Sequence, residues 1–247
     1  MSIKQILANI ARKLTAVALN VPKVYEAGKL AEYDAFWDSF QNDPDHIPEN
    51  GDYRFSGAGW NNKTFKPTKS MKPTSATSMF RRNRFNGDMV ELFEQQDITL
   101  DFSECTAMTY VFYECSASRI GVIDGTKSAN LTAIFGYMYN CHTIDLVKVQ
   151  RNNYFNDNSF RCPALIEIRF EGEIGNAVNF QWSVNLSKAS QVSIFNALST
   201  ALATRATFSK AAVDKAFETA PGANDGSTSQ EWKDQVASRP LATIVLA

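Results

Sequence analysis

The chain has 247 residues, 44% hydrophobic and 21% charged, with a formal net charge of −1. That length can bury a sizeable core, and the composition excludes wholesale disorder. A near-zero net charge supplies no general attraction to nucleic acid or anionic lipid, and no apolar run reaches the roughly 18 to 20 residues of a membrane span.

Residues 1–42 read as a helical arm. Ile3, Leu7, Ile10, Leu14, Val17, Val21 and Val24 follow the alternating steps of a heptad seam, with polar residues between them. Pro22 interrupts the ladder, and a second helix is expected over 26–40 with Leu30, Tyr33, Phe36, Trp37 and Phe40 as its apolar stripe. A seam of this kind calls for a partner helix, so the arm is read as an oligomerisation or docking segment. The alternative is a helix folded back on its own chain. The N-terminus Met-Ser-Ile-Lys-Gln-Ile has no apolar signal core, so the chain is expected to be made in the cytosol. Residues 43–51, rich in Asp, Pro, Asn and Gly, read as a linker.

Over 52–100 an atypical first repeat is expected: Ser-Met79-Phe80-Arg-Arg-Asn83 resembles Tyr-Val111-Phe112-Tyr-Glu-Cys115, with a short helix in the excess around 88–95. Eight Lys or Arg and no acid fall between Arg54 and Asn86. They are dispersed beside an acidic stretch, and pairing within the protein is expected, not nucleic-acid binding.

The stretch 101–187 repeats itself. Phe112, Phe135 and Phe160 recur at 23 and 25 residues, while Ile120, Ile144 and Ile168 recur at 24 and 24 within short alternating runs. One strand per period in the twenties is the signature of a solenoid, whose units share a continuous core because none can bury its own apolar face. The solenoid is placed at 52–186. All four cysteines, at 105, 115, 141 and 162, lie inside it, which points to buried thiols and away from a disulfide framework. Residues 187–247 read as a helix-rich C-terminal cap. Helices are expected to start at Ser187, Ser209 and Ser229, and a strand is expected over 243–246.

Little catalytic chemistry is legible. The two histidines, His46 and His142, lie far apart, and the cysteines form no C-x2-C pair. No nucleophile elbow, phosphate loop or dinucleotide fingerprint occurs. The reading is therefore no enzyme, no cofactor and no metal. Asp101, Glu104 and Glu114 are the carboxylates that could flank a glycosidic bond, and they keep a carbohydrate-active enzyme as the weaker alternative.

The runs Met108–Cys115 and Cys162–Gly175 resemble BspA-type leucine-rich repeats, in which a Phe-x-x-Cys turn precedes a Leu-x-x-Ile-x-Phe strand. The wider arrangement is similar to a phage-associated group of such proteins. The likeness runs through Val24–Asp38, Phe55–Asn61, Ile98–Ser103, Asn179–Trp182, Leu186–Lys188 and Ile194–Ser199, so it covers about residues 24–217. Cys141 in a leucine slot, Asn83 in a cysteine slot and the apolar residues 1–20 depart from the pattern. The resemblance implies an α+β fold: a leucine-rich-repeat solenoid of short parallel strands with irregular or helical turns. It implies a non-catalytic virion protein of tail, baseplate or fibre type, made in the host cytoplasm. Such a protein would be a homo-oligomer, docked on other virion proteins through its arm and presenting the solenoid to a host-surface ligand. A bacterial cell-surface adhesin of the same repeat class is the alternative.

Overall fold

A computed structural model of the chain describes residues 70–83, 87–95, 97–217 and 229–247. The heptad residues Ile3, Leu7, Ile10, Leu14, Val17, Val21 and Val24, with the arm and the linker, lie outside the described residues. So does His46.

In chain order the elements are α1 (Met89–Gln95), β1 (Arg119–Asp124), β2 (Thr143–Val149), β3 (Glu167–Gly172), β4 (Val178–Phe180), α2 (Lys188–Ala197), β5 (Thr204–Phe208), α3 (Lys210–Phe217), α4 (Gln230–Ala237) and β6 (Ala242–Leu246). The strands form two three-stranded parallel sheets, ordered β1-β2-β3 and β4-β5-β6.

This corrects the expected architecture. The strands do not make a leucine-rich-repeat solenoid, and the class is not α+β. The two small parallel sheets and the helices make a compact α/β arrangement. The physical reason lies in the connections. β4 pairs with β5 across α2, and β5 pairs with β6 across α3 and α4, so helices alternate with parallel strands as crossovers. Upstream of β1 the described residues contribute only single parallel bridges, at Met71↔Leu100, Ser75↔Ala107 and Asp88↔Arg119, and no further strand of the first sheet. β4 also lies before residue 187 and its partner β5 after it, so one sheet draws on both sides of that position.

The 24-residue spacing survives as strand register. Ile120 sits opposite Ile144, and Ile144 opposite Ile168. All three are buried, as the second residue of β1, β2 and β3 in turn. Between Ile144 and Val147 the β2–β3 register shifts by one, so Val147 meets Phe170 and Val149 meets Gly172. On the sheet's outer edge Arg119 grips both Asp145 oxygens at 2.8 Å and reaches Asp88 at 3.3 Å. Asp88 also accepts from the Val90 amide at 2.7 Å, so this ion triplet ties the start of α1 to β1 and β2.

Phenylalanines carry the core from one sheet to the other. Phe80 stacks on Phe112 (5.3 Å between centroids), Phe112 on Phe135 (5.8 Å), and Phe135 meets Phe160 at 5.9 Å. Phe160 stacks on Phe180 of β4 at 4.5 Å, and Phe180 on Phe208 of β5 at 6.4 Å. All six are essentially excluded from solvent. At the far end Trp232 of α4 closes the spine against Phe195, Phe208 and Phe217. Ser187 caps α2 by accepting from the Ser190 amide, and Ser229 caps α4 by accepting from Trp232.

The four cysteines are buried and none forms a disulfide. Cys105, Cys141 and Cys162 donate their thiols to the carbonyls of Ala107, Thr143 and Phe135. Burial pushes the Cys115 and Cys141 thiols up to about 12, and that of Cys162 well above its ordinary value. In the native chain at mildly alkaline pH, all four are therefore expected to resist Ellman's reagent and to react only after denaturation. A thiol reacting at the rate of free cysteine would show that its turn opens readily.

Candidate binding face

The stacked turns are joined through alternate backbone amides, with their phenylalanines buried. Ser78, Phe80 and Arg82 donate their amides to the carbonyls of Thr109, Val111 and Tyr113, each at 2.8 Å. Tyr110, Phe112 and Glu114 repeat the pattern toward Thr132, Ile134 and Gly136. Alternate amides can all face the next turn because Ser78, Arg82, Tyr110, Glu114, Ala133 and Tyr137 hold positive φ angles. Non-glycine residues adopt that region at a cost of roughly 1–3 kcal/mol each, and persist there only when their surroundings dictate it.

After Phe80, Phe112 and Phe160 the next residue reaches the surface, while after Phe135 it is the buried Gly136. Arg81 follows Phe80, Tyr113 follows Phe112, Gly136 follows Phe135 and Arg161 follows Phe160. At Gly136 the missing side chain matters: a Cβ there would lie 2.8 Å from Cδ2 of Tyr113 and 3.1 Å from the Asn158 carbonyl oxygen. The Tyr113 ring thus lies directly on the Gly136 backbone and continues edge-on to Tyr137 at 5.2 Å.

An unbroken row results. The Arg81 guanidinium lies 5.7 Å from the Tyr110 ring and 5.2 Å from that of Tyr113. The Arg161 guanidinium lies 4.4 Å from the ring of Tyr137 and 4.4 Å from that of Trp182, the second residue after Phe180. Its Nη1 donates to Tyr137 Oη at 3.0 Å. Tyr139 stands beside Tyr137 at 6.3 Å. Tyr110 (37%), Tyr139 (59%) and Trp182 (40%) are the exposed aromatics of this face. Burial first, and then the Glu114 charge, push the Tyr113 phenol above its ordinary value, which keeps it a neutral hydrogen-bonding group.

Of the residues singled out in the sequence, Phe112, Phe135 and Phe160 meet in the spine, while Ile120, Ile144 and Ile168 meet in the first sheet. The carboxylates that could flank a glycosidic bond are each paired with a base. Asp101 lies 3.0 Å from Lys72, Glu114 lies 2.6 Å from Arg82, and Glu104 pairs with Lys127. The Ser103 backbone N–H holds the Asp101 carboxyl below its ordinary range, with Lys72 adding to the effect, and Lys127 does the same for Glu104. A proton-donating carboxyl of a glycosidase requires a shift the other way. His142 is exposed and lies in no such cluster. Among the described residues no group of three or more His, Cys, Asp and Glu could hold a metal ion, and no helix is long and apolar enough to cross a membrane.

Sequence reasoning missed the arginine–aromatic row. The available signal was spacing: Tyr113, Tyr137 and Arg161 fall 24 residues apart, in step with the isoleucines. No protein-family model, curated protein or solved structure matches the chain.

Proposed function

We propose that this chain is a non-catalytic contact protein of a bacteriophage particle, of tail, baseplate or fibre type, that docks through residues 1–42 and presents the arginine–aromatic face to a host surface. The row from Arg81 to Trp182 is the observation that carries the binding role. Tyr, Trp and Arg are the side chains that contribute most to recognition, because they combine large contact area with polar groups and few rotatable bonds. Here they are pre-positioned by stacking and by hydrogen-bonded turns, which lowers the ordering cost of binding. The virion setting comes from the resemblance over residues 24–217 to phage-associated repeat proteins, and the homo-oligomer from the heptad seam Ile3 to Val24.

Two measurements test this. Particles released from cells that carry the gene in its natural genome are banded on a density gradient and probed with antibody to the chain. The chain is expected in the particle band, and its confinement to the soluble fraction would overturn the virion role. The full chain is also expected to adsorb to host cells, with adsorption reduced about tenfold by joint replacement of Tyr139 and Trp182 with serine, the loss of two exposed aromatic anchors. Undiminished adsorption by that variant would remove the face from the proposal.

A further inference from the structure

Arg161 gives the face a chemical preference. Its guanidinium lies against two rings, Tyr137 and Trp182, each at 4.4 Å from the ring centroid. A guanidinium has five N–H donors in one plane. Among the described residues the only side-chain hydrogen bond Arg161 makes is from Nη1 to Tyr137 Oη, and no carboxylate lies within ion-pair distance of it. This contrasts with Arg82, Arg119 and Arg151, each of which holds a carboxylate. A planar cation packed against rings keeps the remaining N–H groups of its edge to offer, and the edge is the part that binds carboxylate or phosphate oxygens in pairs.

The groups around that charge define the rest of the ligand. Along the row the tyrosines meet one another edge to face, at 72° for Tyr110–Tyr113, 62° for Tyr113–Tyr137 and 61° for Tyr137–Tyr139. They therefore present ring edges and phenolic hydroxyls more than a set of open parallel faces. Phenols that donate and accept suit a polyhydroxylated chain. Nucleobases need open faces to stack on, together with a groove of closely spaced positive charge to neutralise successive phosphates. In this row one guanidinium already covers faces of Tyr137 and Trp182, and the neighbouring Arg82 is neutralised by Glu114.

We infer that the row Arg81–Tyr113–Tyr137–Arg161–Trp182 is a track for an acidic polysaccharide, with Arg161 taking the anionic group of a sugar whose ring and hydroxyls contact Trp182 and the tyrosines. This rests on the contact-face reading above and specifies its ligand class. The anion can be a uronic carboxylate or a sugar-linked phosphate, since both match the guanidinium edge.

The experiment is calorimetry on the full chain with three probes: polygalacturonate, its fully methyl-esterified counterpart, and oligo-dT. Polygalacturonate is expected to bind, and the neutral ester at least about tenfold more weakly, the scale of one lost charge-assisted hydrogen-bond pair. Arg161→Gln is expected to lower polygalacturonate affinity by about the same factor and to leave ester binding unchanged, while Arg161→Lys recovers part of it because charge returns without the planar fork. Should Arg161→Gln unfold, Trp182→Ser, at an exposed position, supplies the second variant. A phosphate-bearing wall polysaccharide is run alongside to separate the two anion sources, and binding of that probe alone would assign the phosphate. Equal affinity for acid and ester, or indifference to Arg161→Gln, would overturn the role of the charge. Binding of oligo-dT in place of every polysaccharide would make the row a nucleic-acid surface. If no polysaccharide binds while the chain still adsorbs to host cells through Tyr139 and Trp182, the ligand is a protein: the glycan inference falls and the contact reading stands. Loss of both would end both.

Discussion

Phe160→Ala is expected to destabilise the protein by about 3–5 kcal/mol, the range for removing a fully buried phenylalanine. The upper half of that range applies here. The ring is wholly buried and meets Phe135 at 5.9 Å, Phe155 at 5.2 Å, Phe170 at 5.7 Å and Phe180 at 4.5 Å. Phe155 and Phe170 are themselves held by the spine, so the cavity cannot collapse without disturbing several neighbours. Phe160 also occupies the junction between the two sheets. The aromatic path from Phe112 and Phe135 reaches β4 and β5 through it. Truncation therefore removes coupling as well as contact area, and urea unfolding of the variant should show a lower midpoint with a broadened or two-step transition. Phe112→Ala, further from the junction, should lower the midpoint while keeping a single transition. A Phe160→Ala variant within about 1 kcal/mol of wild type would show that the core can repack around the loss, and that the spine does not join the sheets.

Much of the first sheet was legible in the sequence because its register and its spacing are the same quantity. Ile120, Ile144 and Ile168 recur at 24 residues and sit opposite one another in the parallel ladder. The phenylalanines, at nearly the same spacing, stack for the same reason. Of the second sheet only β6 was legible, as the strand expected over 243–246; β4 and β5 were not. β4 has only three residues, and β5 reads Thr-Arg-Ala-Thr-Phe, a run with too few large apolar residues to announce a strand. Its burial comes from contact with β4 and β6 on either side, a tertiary effect that outweighs local pattern. The repeat spacing was therefore extended into a continuous solenoid, where the chain instead turns to helical crossovers.

The binding face was hidden for a different reason. Inside-outside alternation can be read along a strand, where side chains point to opposite faces in turn. At the turns it fails, because Tyr110 and Tyr137 adopt left-handed backbone angles that re-aim their side chains. Tyr113 depends further on Gly136, whose bare backbone is the floor beneath its ring. The carboxylates attracted attention through residue type alone, and in the fold each is paired with a base.

Gly172→Ala is the second large effect, expected to cost about 3 kcal/mol or more, the combined scale of a forbidden backbone angle and a lost ladder hydrogen bond. Gly172 ends β3 at φ +102°, a conformation that side-chain-bearing residues rarely adopt. A Cβ built there would fall 2.0 Å from the Val149 carbonyl oxygen, a backbone atom that cannot swing aside. The one-residue register shift between Ile144 and Val147 creates this approach, because a constant 24-residue offset would place Glu173, not glycine, opposite Val149. Alanine at 172 must therefore pull the end of β3 away from β2. The pairs Lys148↔Glu171 and Val149↔Gly172 should open, with amide exchange rising locally more than at Ile144↔Ile168. Gly87 separates the two causes. It also has a positive φ, +133°, but nothing lies within 4 Å of the added Cβ. Gly87→Ala should then show the conformational cost alone, about 1–2 kcal/mol. Equal midpoints for Gly87→Ala and Gly172→Ala would mean that the close approach to Val149 contributes nothing, and that the β2–β3 ladder tolerates a side chain where the register shift brings its two backbones together.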